Sequence, residues 1–76
     1  MDDALALRAL AAVISDSVLR DRFMALTGYD STTLRARAGE RDVLQAVIAF
    51  LGQNETDLLR ISGQLDVKPA LLMAAG

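Results

Sequence analysis

Apolar residues recur along this chain at helical spacing, three and four positions apart, rather than in the alternation of a strand. Leu7, Leu10 and Ile14 form one stripe, with Leu5, Ala9 and Val13 beside it. The pattern predicts a first helix from about Asp3 to Ile14, its apolar surface interrupted only by Arg8. Ser15 or Asp16 is placed to cap a second helix in which Leu19, Phe23 and Leu26 face inward while Arg20, Asp21 and Arg22 face water. Gly28 ends that helix, since glycine adopts the left-handed position after a last turn at least cost.

A short third helix follows, with Asp30 as N-cap and Ser31, Thr32 and Thr33 in its first turn. Leu34 falls four positions in, where it can pack on Tyr29 ahead of the cap as a hydrophobic staple. Gly39 is expected to close it. Val43, Leu44, Val47, Ile48, Phe50 and Leu51 make the most hydrophobic helix of the chain, which belongs at the centre. Asn54 caps a fifth helix with Asp57 at capping-box spacing and Leu58, Ile61 and Leu65 inward. Pro69 then suits the first position of a sixth helix, with Val67 and Leu72 in staple positions.

The two corners lie 38 residues apart in a chain of 76. A gapless superposition pairs Asp16 with Asn54, Arg22 with Arg60, Tyr29 with Val67, Ser31 with Pro69 and Leu34 with Leu72. The fold expected is all-α, a single compact bundle of five to six short helices in two pseudo-repeated helix-corner-helix halves, 1–38 and 39–76.

The stretch from Phe23 through Met24, Ala25, Leu26, Thr27, Gly28 and Tyr29 to Asp30 is followed by Leu34, Arg35, Ala36, Arg37 and Ala38, then by Leu44 to Leu51. From about Leu5 to Ala74 the chain resembles domain-of-unknown-function family 3572, small alphaproteobacterial proteins. These carry a similar glycine corner, an Arg-Ala-Arg-Ala helix and a second, degenerate corner containing proline. Ser31 stands where the family tends to have proline. The resemblance implies an all-helical fold and carries over no activity, cofactor or site residue.

Residues of the hydrophobic set make up 53% of the chain, mostly Leu and Ala, and the mean hydropathy is +0.31. A chain this short buries only about 60% of its unfolded surface. Some apolar area is therefore expected to stay uncovered and to favour a partner-binding or self-associating face. The net charge is −2. Residues 1–38 hold five basic and five acidic side chains and residues 39–76 three and five, so neither half has the basic excess of a nucleic-acid footprint. Asp2 and Asp3 replace the basic start of a signal peptide, and the apolar runs 9–14 and 46–52 are shorter than the roughly 20 residues of a bilayer span. A cytoplasmic protein away from membranes is expected.

Cysteine and histidine are both absent, which removes thiol chemistry, disulfides, the usual catalytic triads and ordinary zinc sites. All the acidic residues except Asp21 fall at expected helix starts or corners, where capping and the helix dipole account for them. Glu40 with Asp42 and Glu55 with Asp57 lack the loop of a calcium hand. No catalytic residue, cofactor or metal site is expected, and the chain reads as non-enzymatic.

Two binding functions remain. One is a protein-protein interaction or scaffold module, either a homodimer or a helix-in-groove contact, with Leu5, Leu7, Leu71, Leu72 and Met73 as the tentative face. The other is a DNA-binding helix-turn-helix, with residues 31–38 as recognition helix and Arg35, Arg37 and Arg41 touching DNA. The short helix, Met24 where such a motif wants a small side chain, and the acidic net charge make nucleic acid the weaker partner. Arg35 and Arg37 are better accounted for by the C-terminal dipole of a short helix and by stems that cover apolar surface.

Overall fold

The computed structural model describes residues 2–76. Six helices follow one another: α1 (Asp3–Ser15), α2 (Ser17–Thr27), α3 (Ser31–Arg37), α4 (Arg41–Gly52), α5 (Glu55–Leu65) and α6 (Pro69–Ala74). The fold is all-α, with no strand among the described residues. Helix starts recur at an interval of 38 residues: Asp3 and Arg41, Ser17 and Glu55, Ser31 and Pro69.

The caps explain most boundaries. Asp2, Asp16, Asp30 and Asn54 each accept a hydrogen bond from a backbone N–H in the first turn that follows, Asp16 from both Val18 and Leu19. Gly28 ends α2 in the left-handed region at φ 80°, its N–H donating to Met24 O. Asp66 makes the equivalent turn after α5 at φ 55°, the one positive φ among the described non-glycine residues. There the Val67 N–H donates to Ser62 O at 3.0 Å, a Schellman-type closure that offsets the cost of that backbone conformation. Gly39 makes no such turn. Helix α3 stops at Arg37 with Ala38 right-handed, and the Glu40 N–H donates to Arg37 O.

Helix α4 occupies the centre, burying Val43, Leu44, Val47, Ile48, Phe50 and Leu51, and its most extensive contact is with α1. Helix α1 buries Ala6, Ala9, Leu10 and Val13, so of the expected Leu7, Leu10, Ile14 stripe only Leu10 is fully buried, together with Ala9 and Val13 expected beside it. Small side chains at 6 and 9 fit a close backbone approach between the two helices. Leu7 is left 43% exposed and Ile14 half-buried. On α2, Leu19 and Phe23 are buried, but Leu26 is 64% exposed because it lies in the last turn, across a shallow depression from Ala46 and Ala49, which are too short to cover it.

All three aromatic side chains line up through the first corner. Phe23 meets Phe50 edge-on at 5.3 Å between centroids, and Tyr29 lies 6.3 Å from Phe23. Tyr29 is half-buried against the core cluster that contains Leu34.

Arg22 does not simply face water. Its guanidinium pairs with Asp57, which is only 7% exposed, and lies 5.5 Å from the Phe50 ring. Arg60 reaches back to Asp16 at 3.2 Å. The partners run in opposite order along α2 and α5, so two ion pairs tie the helices antiparallel across the bundle. Arg8 adds a third tie by donating to Leu65 O at the end of α5.

Candidate functional site

A trough of about 430 Å³ lies between α1, α2 and α3. Helix α1 supplies Leu7, Leu10, Ala11 and Ile14, at positions i, i+3, i+4 and i+7, so the wall follows one helical row. Met24 from α2 and Leu34 from α3 face it, with Ala38 beyond. Leu10 and Leu34 are buried and form the floor, while Leu7 and Ile14 remain accessible.

The polar members of the trough are Ser15, Arg20, Ser31 and Arg35. No carboxylate lines it. Arg20 is shared with its neighbour Asp21 at 3.3 Å, both on the surface. Arg35 has no carboxylate within salt-bridge distance among the described residues.

The positions 38 residues on are closely packed. Ile14 and Arg35 correspond to Gly52 and Met73, and Leu10 and Ala38 to Ile48 and Gly76. A Cβ at Gly52 would lie 2.7 Å from Met73 Cε, and one at Gly76 would lie 2.7 Å from Ile48 Cγ2. At the second corner, therefore, a flexible thioether lies close to Gly52 and the chain backbone at Gly76 lies close to Ile48. An arginine at 35 cannot do the same, because burying an unpaired guanidinium is costly.

The expected interaction face does not assemble as one patch. Leu7 lines the trough, and Leu71 is 58% exposed on α6. Leu5 is half-buried against the core, and Met73 leans on Gly52 while keeping part of its surface accessible. Leu72 is fully buried and can touch no partner in the folded monomer, because the sixth helix docks through it. Sequence patterning missed Ile14, Met24 and Arg35 as parts of a single hollow, since they come from three helices.

The arginines proposed for DNA also separate. Arg37 bonds to Glu40 and Asp42 and lies 5.9 Å from the Tyr29 ring. Those two carboxylates, Glu40 first, raise its pKa above the ordinary guanidinium value. Arg35 points to the trough and Arg41 opens α4. Asp30, which caps α3, is held below the usual carboxylate range chiefly by the Thr33 N–H that it accepts at 2.7 Å. No group of three or more acidic, histidine or cysteine side chains converges as a metal-ligand set among the described residues.

A family model described as a protein of unknown function, DUF3572, matches residues 2–76. The chain belongs to the DUF3572 family. No curated protein and no solved structure matches it significantly. Membership in DUF3572 assigns no activity. No helix of this DUF3572 chain is long and apolar enough to cross a membrane among the described residues.

Proposed function

We propose that this chain is a non-enzymatic protein-docking module of the cytoplasm, and that the trough between α1, α2 and α3 is its docking face. The observation that supports this most is the contrast between a hollow left open beside Leu34 and the filled position beside Leu72. An apolar trough of this volume falls within the range of ligand and peptide sites. Its accessible wall residues, Leu7 and Ile14, leave apolar area for a partner to cover. Self-association through this face or through Leu71 and Met73 is the homodimeric form of the same proposal. Dye binding and light scattering at micromolar concentration test it. A dye for exposed hydrophobic surface should bind the wild type and be lost with Leu7→Asp, whereas a monomer that binds no dye removes the proposal.

DNA binding is the second reading, supported only by Arg35 and Arg41, which are exposed and without ion-pair partners among the described residues. It is weaker because Arg37 is already engaged, and because the seven residues of α3 extend only about 10 Å. Titration onto random duplex at low salt decides it. Binding that weakens steeply as salt is added supports DNA contact, and no binding excludes it.

A further inference from the structure

We infer that the occupant of this trough is an amphipathic α-helix of a partner protein, with acidic side chains flanking its apolar stripe. The inference rests on the docking proposal above and adds the chemistry of the partner. Leu7, Leu10, Ala11 and Ile14 set out two helical turns, about 10 Å of wall, which matches the repeat of apolar positions on a facing helix. Ala11 on one side and Ala38 on the other are short enough for a second backbone to come close.

Charge selects the kind of helix. Two guanidinium groups and two serine hydroxyls line the trough without a single carboxylate, in a chain whose net charge is −2. Arg35 holds the position that an apolar Met73 fills at the other corner, so it leaves the space open and places a cation at its edge. Glutamate or aspartate beside the anchoring leucines of a partner would meet Arg35 and Arg20 at the rim. A second copy of this chain fits poorly. The most apolar exposed helix, α6, carries no acidic residue, on the acidic α5 the only large exposed hydrophobic side chain is Leu59, and on α2 the exposed Val18 and Leu26 stand eight positions apart rather than at the spacing of the wall.

The test is fluorescence anisotropy on the full chain with a dye-labelled synthetic helix of about 14 residues, roughly four turns. Its leucines are spaced i, i+3, i+4 and i+7 and flanked by Glu, and a twin peptide carries Lys in place of Glu. The Glu peptide should bind about tenfold tighter than the Lys peptide, consistent with two rim charge pairs. The double variant R20E and R35E should reverse that preference while keeping the melting curve of the wild type, since both side chains lie on the surface. Leu7→Asp should abolish binding of either peptide. Equal binding of the two peptides, or a preference unmoved by the charge reversal, overturns the acidic-helix inference, and the docking proposal then survives if Leu7→Asp still abolishes binding. Absence of binding by both peptides overturns the inference, and absence of dye binding as well overturns the docking proposal. A dimer in light scattering that the double variant dissolves overturns the inference in favour of a second copy.

Discussion

At the first corner Gly28 turns the chain left-handed, Asp30 caps α3 and Leu34 drops into the core beside an open trough. At the second, Asp66 makes the same turn, Pro69 begins α6 and Leu72 is sealed on every side. The turns and the anchoring leucines stand 38 residues apart, but the helices they lead into dock differently: α6 packs on α4, α5 and α1, whereas α3 makes no comparably extensive contact with any helix among the described residues. Two side-chain positions differ along with that docking. Where the second corner has Gly52 and Met73 in contact, the first has Ile14 and Arg35. An arginine at 35 suits the open side of α3, because a guanidinium stays in water unless a carboxylate accompanies it.

The largest effect should come from removing the anchors. Leu72→Ala should cost about 3–5 kcal/mol, and Leu34→Ala about 2–3, because only the first leaves a fully enclosed cavity while the second opens onto a trough that water already reaches. Denaturant melts compare them, and equal losses would break the contrast between the corners. Next comes the turn itself. Gly28→Val places a β-branched residue at φ 80° and should cost about 2 kcal/mol. Gly52→Ala should change stability by less than about 1 kcal/mol, since the gain in helix propensity offsets the push against the mobile end of Met73. A shifted Met73 methyl resonance would report that contact directly.

The ties between the corners rank below these. Arg22→Ala leaves Asp57 nearly buried without its partner and should cost about 1–2 kcal/mol, whereas Arg60→Ala breaks an exposed pair and should cost under about 1 kcal/mol. A double-mutant cycle across each pair separates the coupling from other losses. The smallest difference is one of pH. The Asp30 carboxylate titrates lower in the folded chain than in the unfolded one, so its contribution is present above the ordinary carboxylate range and is lost as pH falls through the folded value. No side-chain bond caps α6. Hydrogen exchange at Thr33 should therefore quicken in acid relative to exchange at Leu72, and Asp30→Asn should abolish that pH dependence while keeping the cap. Parallel acceleration at both corners would mean that Asp30 is not what holds α3.

Much of the bundle was legible beforehand. Caps at Asp16, Asp30 and Asn54, the turn at Gly28, the proline opening α6 and the buried face of α4 all follow from local rules that need no knowledge of neighbours. The errors fall where two helices had to be known together. Leu7 and Leu26 carry the right spacing for the core and lie at its edge, because α1 buries the row of Ala6, Ala9, Leu10 and Val13 instead and because α4 sets Ala46 and Ala49 opposite the last turn of α2. The spacing sets Arg22 facing water with Arg20 and Asp21, yet it spans 35 residues to Asp57.

Order along the chain therefore settled the helices, their caps and the two bends, since each depends on hydrogen bonds and side chains within a few residues. Tertiary packing alone decided which apolar row became core, which arginines were tied down and where space was left. Burial and charge pairing depend on the partner across the gap: Met73 lies against Gly52 where α6 packs into the bundle, while Ile14 and Arg35 line the trough beside the loosely docked α3.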